Sequence, residues 1–176
     1  MITVISSTNR VGSYSALVAR EINRMLQEEF NRRDAHLLDL ATLDWEEIIK
    51  CDYRRTAGVM KSLTENCLVP TKHFVFVVPE YNGSFPGALK LLIDFASIID
   101  YKGLFVDCSI HLIGVSEGRA GNLRGLDQLS CILRHMGAQV IHKPQPISSI
   151  KSEVKDGELS SELKKALRIY LTDLRI

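Results

Sequence analysis

No apolar run in the 176 residues approaches the roughly 20 needed to cross a bilayer, so a membrane-spanning helix is not expected. None of the 11 glycines stands two residues from another, which rules out the dinucleotide fingerprint G-x-G-x-x-G; the phosphate-loop motif G-x-x-x-x-G-K-[ST] is missing as well. A nicotinamide-binding Rossmann enzyme and a P-loop nucleotidase are both disfavoured. The four cysteines, Cys51, Cys67, Cys108 and Cys131, form no C-x-x-C pair and have the spacing of neither a zinc site nor a disulfide framework, so they read as reduced thiols and no metal is expected. Charge of either sign is not in excess. Twenty-two Lys plus Arg against 21 Asp plus Glu leave a formal +1, so no global field draws nucleic acid or anionic lipid, and the expected partner is a small molecule. No basic leader precedes the first apolar run, Ile2 to Ile5, and the expected compartment is the cytoplasm.

What is present suits one compact domain over residues 1–176: 45% hydrophobic and 24% charged residues lie close to the globular average. Five apolar runs predict strands, at Ile2–Ile5, Leu37–Leu38 ending at Asp39, Phe74–Val78, Ile110–Val115 and Gln139–Ile141, the last one stopped by Pro144 and Pro146. Between and after them, apolar residues recur three or four apart and predict five helices. These begin at Ser13 and run to Phe30, then cover about Arg55–Leu68, Leu89–Ile99 behind Pro86, Leu126–Met136, and Leu159–Leu174. Residues 147–157 read as a surface connection. Uninterrupted apolar strands alternating with helices predict a parallel sheet covered on both faces, and five such units suit the flavodoxin-like order 2-1-3-4-5. Ligands bind such sheets beyond the carboxyl ends of the strands, which directs attention to the loops after strands 1, 3 and 4.

The first loop, Ser6-Ser7-Thr8-Asn9-Arg10-Val11-Gly12-Ser13-Tyr14-Ser15, sets five Ser or Thr hydroxyls and a guanidinium ahead of a helix, a composition suited to a phosphate. A turn whose serines merely cap the helix is the other reading. The second loop, Pro79 to Gly87, joins an aromatic, an amide and two glycines, and can lay backbone N–H groups and a tyrosine ring against a flat heterocycle; an ordinary Asn-Gly turn is its alternative.

The order of residues then resembles a known family. Pro79-Glu80-Tyr81-Asn82-Gly83-Ser84, followed by Pro86-Gly87-Ala88-Leu89-Lys90 and Asp94, is similar to the P-E-Y-N-G-S…P-G-x-L-K-N-x-x-D signature of the NAD(P)H-dependent FMN reductases. The first loop is similar to their G-S-x-R-x-x-S-x-N loop through Ser7, Thr8, Arg10 and Ser13. The third loop, Ser116-Glu117-Gly118-Arg119-Ala120-Gly121, resembles their S-x-G-x-x-G turn, with Gln128-Leu129 and Gly137-Ala138 continuing the pattern to about residue 141. The chain departs from the pattern at Ser7, where the family has glycine, and at Ser15 and Leu91, where it has asparagine. The resemblance implies a flavodoxin-like subunit with non-covalent FMN, reduced by NADPH or NADH and reoxidised by a small acceptor: a flavin, quinone, azo compound or metal oxyanion. It implies that Ser7, Thr8, Arg10, Ser13 and Ser15 hold the 5′-phosphate, and that Pro79, Glu80, Tyr81, Asn82 and Gly83 line the ring near N5 and O4. Ser116, Gly118 and Gly121 would let backbone donors approach the pyrimidine end. Flavin N5 carries the chemistry and no side chain is assigned as catalytic. A homodimer or homotetramer is implied, with the helix after the second loop as a contact.

Two other readings compete. Gly114-Val115-Ser116-Glu117-Gly118 fits the nucleophile elbow G-x-S-x-G, and Asp127 and His142 follow in the order of a serine hydrolase; Gly121 and Asn122, however, extend the loop where the elbow needs a helix. A non-enzymatic flavin carrier or redox sensor would share the fold, although carriers of this kind are usually strongly acidic. His73 and His111, in strands, are expected to be packed and hydrogen-bonded; Cys108 and Cys131 are expected in or near the core. Trp45 is assigned to packing or an oligomer contact, with a lid over the flavin as its alternative, and Arg119 to solvent, with the 2′-phosphate of NADPH as its alternative.

Overall fold

A computed structural model describes residues 1–50, 58–141 and 143–174. Strands β1 (Ile2–Ser6), β2 (Ala35–Asp39), β3 (His73–Pro79), β4 (Ser109–Val115) and β5 (Gln139–Val140) pair in the order β2-β1-β3-β4-β5, every pairing parallel. This is the order expected from the alternation of apolar runs. The helices are α1 (Tyr14–Glu28), α2 (Trp45–Lys50), α3 (Val59–Leu63), α4 (Gly87–Asp100), α5 (Leu123–His135) and α6 (Ser161–Asp173), and α3 runs on into a π-helical turn at Thr64–Leu68.

Each strand presents alternate residues to two separate cores. Val75 and Val77 of β3 pack with Val18, Ile22 and Met25 of α1 and Leu167 and Leu171 of α6. Phe74 and Phe76 face the opposite way, with Ile48, Met60, Leu92, Phe95, Leu129 and Leu133 from α2 to α5. Phe105, between α4 and β4, closes that core edge-on to Phe74 at 5.0 Å between ring centroids.

Four expectations need correcting. The edge strand does not end at the prolines: β6 (Gln145–Ile147) resumes it, pairing Gly114 with Pro146 and Val115 with Ile147. Proline is tolerated there because one side of an edge strand has no neighbour to bond. Residues 147–157 are not a mere surface connection, since Ile147 and Ile150 are buried, a 3₁₀ turn covers Ile150–Glu153, and β7 (Val154–Lys155) begins a hairpin with β8 (Glu158–Leu159). Cys131 is exposed, because Leu126, Leu129 and Leu133 turn the other side of α5 to the core. Neither strand histidine is fully satisfied: both ring nitrogens of the buried His111, and Nδ1 of the partly buried His73, have no hydrogen-bond partner among the described residues.

Within the helix expected at 55–68, residues 55–57 lie outside the described residues, as do Cys51 and His142. The short helix at Trp45 went unread because one and a half turns give no periodicity. Its indole Nε1 donates to the Leu40 carbonyl at 2.6 Å and its ring packs on the core, which is the packing role assigned to it.

Candidate functional site

The carboxyl ends of β1, β3 and β4 open into a cavity of about 700 Å³, within the range of roughly 300–1,000 Å³ typical of small-molecule sites. Ten of the thirteen residues singled out from the sequence line it: Arg10, Ser13 and Ser15 from the first loop, Pro79, Glu80, Tyr81, Asn82 and Gly83 from the second, and Ser116 and Gly118 from the third.

At one end stands the amino terminus of α1. Ser13 is its cap, accepting from the Ala16 N–H at 3.2 Å, and its hydroxyl meets that of Ser15 at 3.0 Å. The first-turn N–H groups of a helix have no partner within the helix, and Arg10 lines the same cavity, so this part of the cavity holds donor types that suit an anion. The capping role is thus observed for Ser13, and it leaves the helix terminus facing the cavity.

Ser7 and Thr8 are not open to a ligand. Both are fully buried. The Ser7 hydroxyl donates to the Ile5 carbonyl at 3.3 Å and its N–H to the Val77 carbonyl at 3.0 Å. Thr8 Oγ1 accepts from the Arg10 N–H at 3.2 Å and shares a hydrogen bond of 2.8 Å with the Tyr81 hydroxyl. Thr8 therefore shapes the first loop and aims the tyrosine of the second.

The second loop is a miniature hairpin. Tyr81 and Ser84 exchange both backbone hydrogen bonds, at 2.9 and 3.0 Å, and Asn82 and Gly83 both have positive φ, 53° and 75°, the requirement of the two-residue turn for which Asn-Gly is favoured. Asn122, itself left-handed and buried, ties this loop to the third: its amide donates to the Val78 and Pro79 carbonyls at 3.1 and 3.0 Å.

Ser116 is not poised as a nucleophile. Its hydroxyl donates to the Gly118 carbonyl at 2.9 Å and accepts from the Gly121 N–H at 3.0 Å, and α5 starts only at Leu123. The two glycines that mimic the hydrolase motif differ in purpose: a Cβ at Gly114 would run into the Gly121 carbonyl oxygen, whereas one at Gly118 would meet nothing. Gly121 lies behind the cavity wall, where its missing side chain admits Pro146 of β6. Arg119 is exposed and outside the cavity lining.

Six lining residues were not singled out from the sequence: Gly12, Tyr14, Val115, Glu117, Ile150 and Lys151. Gly12, Tyr14 and Glu117 stand inside the loops already described, and Val115 ends β4. Ile150 and Lys151 carried no signal, because they arrive through the resumed edge strand.

A family model described as NADPH-dependent FMN reductase matches residues 1–153, all three loops included. Over 174 residues the chain is 24% identical to an NADPH azoreductase from Bacillus sp. (strain OY1-2), covering 99% of this chain and 90% of that protein. Among solved structures, the flavoenzyme NAD(P)H:acceptor oxidoreductase FerB from Paracoccus denitrificans superposes with a TM-score of 0.74 at 19% identity, covering 98% of this chain and 93% of that one. A point mutant of flavodoxin from Pseudomonas aeruginosa superposes with a TM-score of 0.60 at 15% identity, covering 99% of each chain. At such identities the solved structures speak for the fold, and the family model speaks for the lineage. The chain belongs to the NADPH-dependent FMN reductase family, as an NAD(P)H-dependent enzyme with FMN as cofactor.

Proposed function

We propose that the cavity at the carboxyl edge of the sheet holds this FMN, and that the enzyme passes reducing equivalents from NAD(P)H to a small, flat acceptor such as a quinone or azo compound. The observation that carries this reading is the composition of the cavity: a helix amino terminus and a guanidinium suited to an anion from the first loop, and an aromatic side chain with a backbone turn from the second. Bound FMN would supply the two-electron chemistry that no side chain here provides.

Arg10, Ser13 and Ser15 would bind the phosphate, with Ser7 and Thr8 supporting the loop from beneath. Pro79, Glu80, Tyr81, Asn82 and Gly83 would form the wall beside the ring. Held by Thr8, Tyr81 offers an oriented face at little entropic cost, and the Asn-Gly turn sets backbone groups at the rim. Ser116 would keep the third loop folded so that the backbone near Gly118 reaches the ring, and Gly121 would let that loop pack on β6. The azoreductase relationship supports an azo compound as one such acceptor.

Ile98 and Tyr101 near the end of α4 are exposed apolar residues, which supports a homodimer or homotetramer built on that helix. The free thiols of Cys67, Cys108 and Cys131 suit the cytoplasm. Among the described residues no helix is long and apolar enough to cross a membrane.

The test is a titration of the purified protein with FMN by visible absorbance, followed by anaerobic NADPH or NADH and then one acceptor at a time. Bleaching by the donor and recovery with a quinone or azo dye, but not with chromate or free riboflavin, is the expected result. Recovery only with the latter two would overturn the acceptor assignment.

A further inference from the structure

Lys151 belongs to none of the three motif loops, yet it lines the same cavity as Arg10. The resumed edge strand brings it there. The Ser149 N–H bonds the Gly118 carbonyl at 2.9 Å and the Ile150 N–H bonds the Ser116 carbonyl at 3.0 Å, which lays the turn Ile150–Glu153 along the third loop. Ile150 is buried in the core between α1 and α6, so the turn is pinned and its neighbour Lys151 is set at the rim. There the Lys151 ammonium rests on the Glu117 carboxylate, Nζ to Oε2 2.7 Å, with both side chains more than half exposed. Arg10 stands close enough for its charge to act on Lys151, opposing the pull of Glu117.

Two cations from separate segments thus line one cavity, and one of them is paired with a carboxylate. An ion pair this exposed is weak, worth less than about a fivefold factor in equilibrium. A hydrogen bond from an ammonium to a phosphate is worth on the order of tenfold or more. Exchange of Glu117 for an incoming phosphate is therefore favourable. We infer that Lys151 is a second cation for a phosphomonoester bound in this cavity, held on Glu117 until the ligand enters. The inference rests on the cavity being the FMN site. The phosphomonoester is the 5′-phosphate of FMN or the 2′-phosphate of NADPH, which share this chemistry.

The experiment compares Lys151→Met and Glu117→Gln with the wild type, measuring FMN and riboflavin affinity by quenching of flavin fluorescence. Lys151→Met should weaken FMN about tenfold and leave riboflavin within about twofold. Glu117→Gln should tighten FMN, because it frees the ammonium and removes a carboxylate from the rim. The opposite signs are the signature, since a merely structural ion pair would lose affinity in both variants and for both flavins. If the phosphate is the donor's, FMN affinity stays unchanged, while KM for NADPH rises about tenfold in Lys151→Met and KM for NADH does not. No change in either readout, or losses of the same sign in both variants, would overturn the inference. A wild-type protein that binds FMN elsewhere or not at all overturns the underlying site assignment instead, and is recognised before any variant is made.

Discussion

Replacing His111 by leucine should make the fold less sensitive to acid. His111 lies opposite Val75 in the centre of the sheet and is only 2% exposed. With both ring nitrogens unpartnered, nothing compensates a charge there. Burial, aided by the positive charge of His73, holds the imidazole down to about 4 from its usual 6.5. The folded protein then binds fewer protons at this site than the unfolded chain between those two values. Stability is therefore complete above about pH 6.5 and is lost progressively as the pH falls towards 4. The whole shift corresponds to roughly 3 kcal/mol, of which roughly 2 kcal/mol is gone by about pH 5. Glu29 and Asp34, paired with arginines, are held near 2 and act well below that window. His73, which burial also pushes down, is present in both proteins, so only its charge coupling to His111 remains in the difference. Urea unfolding at about pH 7.5 and about pH 5 measures the effect. The wild type should lose roughly 2 kcal/mol more than His111→Leu on acidification; equal losses would refute an uncompensated neutral histidine at this position.

Arg10→Ala should weaken FMN by about 1.5 to 3 kcal/mol, the worth of a hydrogen bond to a charged group, and barely alter riboflavin, as read by isothermal calorimetry; equal losses would place Arg10 away from the phosphate. Gly121→Ala should destabilise the protein by about 1 to 3 kcal/mol in chemical unfolding, because its Cβ would stand 2.5 Å from the Pro146 Cβ at a φ of 55°. Thr8→Val keeps the volume but removes the partner of the Tyr81 hydroxyl. It should cost about 1 kcal/mol in stability and lower the affinity for riboflavin as well as FMN, whereas a loss confined to FMN would show the hydroxyl reaching the phosphate itself.

The sheet order and the three loops could be read from the chain because they rest on strong local signals. Phe74 to Val78 is apolar without a break, as a strand covered on both faces must be, and Pro79-Glu80-Tyr81-Asn82-Gly83-Ser84 is a long, ordered motif. The direction of individual hydroxyls was less legible. Ser7 and Thr8 look like Ser13 and Ser15 in a string of letters, but the first pair is buried away from the cavity, whereas Ser13 and the equally buried Ser15 border it at the start of α1. The edge was misread for a related reason. Pro144 and Pro146 signal an end, and only the open side of an edge strand lets Gln145–Ile147 resume the ladder. Lys151 follows from that resumption, so no local pattern could have placed it at the site.

The buried Asn122 amide has a mechanical consequence. By gripping the last two carbonyls of β3 from the end of the third loop, and with Gly125 packed so closely that a Cβ there would lie 2.7 Å from the Ser84 backbone, it joins two walls of the cleft into a single plate. Such a plate is expected to close little around what it receives. If donor and acceptor use this cleft, discrimination between acceptors is expected to fall to thickness and flatness rather than to a shape moulded around each guest.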